Sequence, residues 1–376
     1  MKKKLTTTII FILFLLITGC QSQWQIEILN QGEPVGSIDT EIFNLYFNAV
    51  GIDSETVPMG HFLFHYGFTL IDKISVFNED ELIHSFKWDP FAEYTLVSKS
   101  GEIMVGDEKF TPTAIDITPS ILASQIDLSI MDLAPTMAQV LNLPGLPDAQ
   151  GQPVSDSKAK HAVMILVDGL QYKKLQTLIE QGSLPFFQNI DEINQGTTVY
   201  PSITTASTAA LLTGAPAQVN GVYGYGYRTT EMQTLFDMAA EHNRSVTAVE
   251  GYSLAFNLRN AQVILSGDRD GDGHTDDNVL SNSLEVIKTA MPDLLFIHFH
   301  DVDDMGHGFG PDSLEYAAAV MRADGYLSQI FSDLPTDTFI AIFADHGMQK
   351  DPNSTGGNHG QLTQSSMIIP IMFLEK

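Results

Sequence analysis

The chain has 376 residues, 44% of them apolar, which is ordinary for a globular protein and long enough for two domains or one large core with an appendage. Its net charge of −27 argues against a nucleic-acid backbone as the main partner, because phosphates meet repulsion over most of the surface. An anionic substrate then has to be drawn in by a local positive charge, which metal ions can supply.

The opening stretch, "MKKKLTTTIIFILFLLITGC", sets three Lys ahead of an apolar run too short to span a bilayer comfortably. It predicts a secretory signal over residues 1–20, and "ITGC" resembles a bacterial lipoprotein box with Cys20 as the lipidated mature N-terminus. The alternative is a retained membrane anchor. Either way the remaining chain is expected outside the cytoplasm, held to the cell envelope through its N-terminal lipid or anchor. Cys20 is the only cysteine, so the chain can form neither an internal disulfide nor a multi-thiolate metal site.

Residues 21–115 read as a small mixed α+β domain. "WQIEIL" alternates Trp24, Ile26 and Ile28 with polar neighbours, and "FTLIDKISVF" and "GEIMVGDEKF" read as strands joined by turns. His61 and His65 stand four apart, but lacking a carboxylate or third ligand they read as structural. No chemistry is assigned to this region. Next, "DLAPTMAQVLNL" from Asp132 predicts a short helix with Pro in its first turn and Met137, Val140 and Leu141 on its apolar side.

From His161 the pattern becomes strand, helix, strand, helix. "HAVMILVD", "LLFIHFHD" and "TFIAIFAD" are continuous apolar runs, as expected of parallel strands buried on both faces. Helical stretches fall around residues 172–181, 207–212, 234–242, 279–290 and 314–331. The fold expected is α/β, a layered αβα sandwich with a mostly parallel central sheet over 116–376, binding ligands at the carboxyl ends of its strands.

Four stretches meet at that rim: "VDG" with Asp168, "YPSITTASTAALLTG" with Thr204, "DVDDMGH" with Asp303 and His307, and "ADHGM…GGNHG" with Asp345, His346 and His359. Each is weak alone, since an Asp at a strand end is often a helix cap. Together they offer three Asp, three His and a hydroxyl, enough for two carboxylate-and-imidazole metal sites.

In order and spacing, residues 161–376 resemble the alkaline phosphatase superfamily, and most closely its type I phosphodiesterase/nucleotide pyrophosphatase branch. The resemblance implies that Asp303, His307 and His359 hold one metal ion. It implies that Asp168, Asp345 and His346 hold a second, with Thr204 beside it as ligand and nucleophile. Asp303 is preferred to Asp304 because the family aspartate lies four residues before its histidine. Two Zn²⁺ ions are expected, although imidazole and carboxylate also serve other divalent metals. The implied reaction is hydrolysis of phosphodiester or nucleotide pyrophosphate bonds through a phosphothreonine on Thr204, with a phosphate-ester small molecule as partner and no nucleic-acid binding beyond nucleotide substrates. A phosphomonoesterase with the same site is the alternative, and a non-catalytic surface binding lipoprotein is the alternative of another class.

The chain departs from the branch at two points. Ser207 stands where the branch has a phosphate-binding Asn, so it becomes the candidate substrate contact, and Asn220 replaces a His. Arginines are scarce around Thr204, which favours a diester over a doubly charged monoester.

"DRDGDGHTDD" resembles a calcium loop, with Asp268, Asp270, Asp272 and Asp276 as ligands, but Val279 stands where an EF-hand has its bidentate Glu. The other reading is an acidic turn in which Asp276 or Asp277 caps the next helix. Finally, the helix at Asp132 resembles the segment that usually closes such domains after the last strand. We therefore expect a circular permutation in which residues 116–154 complete the core of the sheet domain.

Overall fold

The computed structural model describes residues 24–53 and 55–376. The expected signal segment and Cys20 lie outside the described residues. Among the described residues, no helix is long and apolar enough to cross a membrane.

The apolar runs build one eight-stranded sheet, in the order 128–129, 194–197, 368–375, 338–343, 161–167, 294–299, 246–250, 262–265. Strand Ile368–Glu375 is antiparallel to both of its neighbours, and all other pairings in the sheet are parallel. All seven residues of His161–Val167 are buried, as are all six of Leu294–Phe299 and of Thr338–Phe343. Buried neighbours on both faces explain why these strands are apolar throughout instead of alternating. The helices fall into two groups, one of 133–140, 204–213 and 235–241, the other of 172–180, 276–290, 301–309 and 314–333. The molecule is thus α/β with a mostly parallel central sheet, as expected.

Helix Leu133–Val140 packs against helices 204–213 and 235–241. Met137, Val140 and Leu141 are at most 1% exposed and share one apolar cluster with the sheet residues Val163, Ile165, Ile297 and Ile342. Leu128–Ser129 adds an edge strand to the same sheet by pairing with Gly196–Thr197.

The N-terminal part holds a mixed five-stranded sheet in the order 33–39, 25–30, 114–119, 71–78, 81–87, and an antiparallel four-stranded sheet over 56–110. Strand Ala114–Pro119 completes the five-stranded sheet, so this unit runs through Pro119, beyond the boundary placed at residue 115. Its apolar cluster continues into the sheet domain through Tyr172, Tyr200, Leu362, Met367 and Ile368.

Candidate metal and nucleophile site

Five chain segments deliver the site to one end of the sheet. Asp168 follows strand His161–Val167, and Asp345 and His346 follow strand Thr338–Phe343. Asp303 and His307 sit one turn apart on helix Asp301–Phe309, the spacing that stacks i and i+4 side chains on one face. His359 comes from the loop after Gly357–Asn358, and Thr204 opens helix Thr204–Thr213.

These residues converge into two adjacent groups. Ligand atoms of Asp303, His307 and His359 all lie within 4.8 Å of one another, and so do those of Asp168, Asp345 and His346. In the first group Asp303 approaches His307 Nε2 at 3.3 Å and His359 Nε2 at 3.6 Å. In the second, His346 Nε2 lies 3.3 Å from Asp168 and 3.3 Å from Asp345. The rings of His346 and His359 stack at 3.6 Å and so join the groups, while Thr204 Oγ lies 3.2 Å from His346 Nε2. Ile203 before the helix supplies no side-chain cap, which leaves first-turn N–H groups for an anion.

The residues fit metal ions on two observations. His307, His346 and His359 direct Nδ1 at the carbonyls of Gly357, Gly347 and Ser202, respectively, at 3.0–3.1 Å. A carbonyl only accepts, so each Nδ1 donates its proton outward and each Nε2 is left turned toward the carboxylates of the site. The Nε2 atoms of His307 and His359 face each other at 3.0 Å, where two lone pairs would repel unless a proton or a metal ion lies between them. Moreover, Asp168 Oδ1, Asp303 Oδ1 and Asp345 Oδ2 are buried without a hydrogen-bond partner, a costly state that a bound cation would relieve.

The sequence matches the profile of the Phosphodiest family, type I phosphodiesterase/nucleotide pyrophosphatase, over residues 162–264 and 240–366, together more than half of the chain. The chain belongs to this family. A curated relative, GPI ethanolamine phosphate transferase 3 of Eremothecium gossypii, is 30% identical over 87 residues, covering 23% of this chain and 8% of that protein. The chain thus matches less than a tenth of that relative's length. Among solved structures, murine ectonucleotide pyrophosphatase/phosphodiesterase 5 is 17% identical with a TM-score of 0.42, covering 50% of this chain and 58% of that one. The zinc complex of the periplasmic domain of EptC from Escherichia coli is 17% identical with a TM-score of 0.41, covering 62% and 77%.

In this phosphodiesterase-family chain the charges of the site are strongly coupled. Burial, and then the negative charges of Asp345 and Asp303, push the Asp168 carboxyl well above the usual carboxylate range. Burial also disfavours ionised Asp303, but the hydrogen bond to His307 and the nearby imidazoles outweigh it and hold this carboxyl at about 2. Burial and the charge of His346 bring His359 down to about 4, which keeps it neutral and able to ligate.

Several site residues escaped the sequence. His298 Nε2 lies 3.0 Å from Asp168 Oδ2 and His298 Nδ1 lies 2.9 Å from Glu250, a buried chain that orients the Asp168 carboxylate. His300 also reaches Glu250 at 3.3 Å. Glu250 ends a buried strand, as Asp168 does, and the strand-end argument applied there would have found it. Gly169 has φ +68°, and a Cβ on it would lie 2.7 Å from Asp303 Oδ1, so only glycine lets the two carboxylates approach.

Two expectations need correction. Ser207 is fully buried and bonds Thr198 Oγ at 2.9 Å, and Thr198 in turn bonds the carbonyl of Asp345. It braces the strand end instead of facing substrate, because its position on the helix turns inward. In the acidic loop, Asp268, Asp270 and Asp272 lie together, and Asp268 accepts the N–H groups of Gly271 and Gly273. Asp276 is not with them. It is buried, and its two oxygens accept the N–H groups of His300 and Asp301, capping the helix that carries Asp303 and His307. Asp304 lies outside both ligand groups.

Proposed function

We propose that the protein hydrolyses phosphodiester or nucleotide pyrophosphate bonds, with Thr204 as nucleophile and two divalent metal ions, zinc foremost. The observation that carries this reading is the meeting of three orphaned carboxylate oxygens, three inward Nε2 atoms and one hydroxyl. Asp303, His307 and His359 would hold one ion, and Asp168, Asp345 and His346 the other. Bound there, two divalent cations neutralise non-bridging phosphoryl oxygens and stabilise charge on the leaving oxygen.

The chain's own groups do the rest. Helix 204–213 places Thr204 Oγ at the junction of the two groups, with the first-turn N–H groups aimed at an anion. Thr204 Oγ attacks phosphorus, the P–O ester bond breaks, and the leaving alkoxide takes up a proton. Water then cleaves the phosphothreonine, returning the hydroxyl and releasing the phosphomonoester. Among the described residues the ion-pair partners of Asp168, Asp303 and Asp345 are all histidines, and arginines are scarce around Thr204 in the sequence. That favours a diester.

The curated relative's name favours one further reading, transfer of ethanolamine phosphate to an acceptor other than water. We also propose export and lipid attachment at Cys20, on the signal-like run before it. The test is turnover by zinc-loaded protein of a nitrophenyl diester, the matching monoester, a dinucleotide and a glycerophosphoethanolamine. Faster turnover of a diester or pyrophosphate is expected, whereas preference for the monoester moves the reading to a phosphomonoesterase. Thr204→Ala should lower kcat by roughly three orders of magnitude or more while metal content stays normal.

A further inference from the structure

Residues 198–204, "TVYPSIT", run from the end of strand Asn194–Thr197 to the first residue of helix Thr204–Thr213. Thr204 at the end of this segment lies against His346. Two other hydroxyl residues of the segment, Thr198 and Ser202, are at most 1% exposed and stand outside both ligand groups. Each of them nevertheless bonds the backbone of one group.

Ser202 holds the group that contains His359. Its carbonyl accepts the Nδ1 proton of His359 at 3.0 Å. Its hydroxyl donates to the carbonyl of Gln361 at 2.9 Å and accepts the N–H of Gly360 at 3.2 Å. One residue thus grips the ligand and both residues after it. Gly360 has φ +107°, and a Cβ on it would stand 3.2 Å from Ile203 Cγ2, so the residue between Ser202 and Thr204 also packs on this loop. Thr198 serves the other group. A carbonyl only accepts, so the Thr198 hydroxyl donates to the carbonyl of Asp345, and Ser207 from helix 204–213 donates to Thr198 Oγ at 2.9 Å. Asp345 and His346, two of the three residues of that group, follow one another on the backbone so held.

We propose that Ser202 and Thr198 are positioning residues, one for each ligand group. Ser202 ties His359 to Thr204 two residues along, and Thr198 ties the Asp345–His346 corner to the same segment, so that together they set the span from Thr204 to both groups. The ligands and Thr204 come from five segments, and their spacing therefore depends on bonds between segments. An attacking oxygen and two cations on one phosphoryl group have to keep that spacing, since a misplacement of about 1 Å costs about a hundredfold in rate. The effect on turnover rests on the phosphoesterase reading. The effect on how each group is built does not.

Two variants of the full chain test the proposal. Ser202→Ala keeps the carbonyl bonded to His359 and removes only the hydroxyl, and Thr198→Val removes a hydroxyl at nearly constant shape. Each is made in two backgrounds, His346→Ala, which leaves the Asp303–His307–His359 group whole, and His359→Ala, which leaves the other. Zinc affinity is read by competition against a chromophoric chelator. Ser202→Ala should weaken zinc about tenfold in the His346→Ala background and less than about twofold in the other, and Thr198→Val should do the reverse. Equal losses in both backgrounds would make the hydroxyls mere supports of the fold, and no loss in either would leave them without a role; both results overturn the proposal. At saturating zinc, Ser202→Ala alone should lower kcat for a diester about tenfold with KM within about twofold. Should Ser202→Ala fail to fold, Ser202→Cys, which keeps a weak donor, takes its place. Should wild type hydrolyse no phosphoester, the zinc pattern still decides the assignment, so the two failures remain distinguishable. Should wild type bind no zinc, amide exchange decides it: Ser202→Ala should quicken exchange over 357–362 and Thr198→Val over 345–348, and a change shared by both variants would overturn it.

Discussion

Asp303 and Asp304 differ by one position and have different fates. On a helix, one residue is a rotation of about 100°, so Asp303 faces His307 and His359 while Asp304 turns away. Gly169 is held to its place just as strictly. Gly169→Ala would force a left-handed backbone on alanine and drive a methyl group into Asp303. We expect it to weaken metal binding by at least about tenfold in a chelator competition; unchanged affinity would mean that the two carboxylates need not approach so closely. That these acids and imidazoles come together beside Thr204 was legible in the sequence, because a candidate metal site draws on Asp and His and a strand end is where a layered fold exposes them. His298 was not, since a histidine inside an apolar strand looks the same whether it packs or orients a carboxylate, whereas Glu250 was readable as the end of a buried strand and was overlooked. Ser207 was misread because an offset from the nucleophile does not say which way a helix face turns.

Among the elements, helix 133–140 is the most informative. Its apolar side was readable from Met137, Val140 and Leu141, but which core it joins depends on contacts distant in sequence. It shares the core of the sheet formed by residues that follow it, and we propose that residues 120–154 are the permuted closing segment of the sheet domain. Met137→Ala should lower stability by roughly 2–5 kcal/mol, as expected for emptying a filled core position. It should do so in the same denaturant transition that Ile165→Ala shifts. A Met137 variant that shifts only a separate transition of the N-terminal unit would contradict the permutation. Helix 301–309 carries a comparable lesson. Its start is capped by Asp276 from another helix, a tertiary cap that no local pattern announces.

Across the whole molecule, the N-terminal unit and the sheet domain share a buried seam, with His61 inside it against Tyr200 and Tyr46. Burial lowers the His61 imidazole to about 3, so the folded protein keeps it neutral where the unfolded chain, near 6.5, binds a proton. The unfolded state therefore holds more protons between these values, and its share of stability is full above pH 6.5 and is lost as pH falls toward 3. The slope from one such group is at most about 1.4 kcal/mol per pH unit. His61→Phe should flatten the curve of unfolding free energy against pH between about 4 and 6.5; an unaltered slope would mean that the seam admits the charged ring. The α/β class could be read from three apolar runs, whereas the seam could not, because Trp88 and Leu362 meet across 274 positions.

The central claim is that six side chains form two metal sites beside Thr204, and the most direct measurement is metal content per chain, taken together with diester turnover, for wild type and for His359→Ala. We expect about two ions in wild type, one fewer in the variant, and turnover that a chelator abolishes and zinc restores. Metal content below about one ion per chain, with hydrolysis indifferent to chelation, would contradict it.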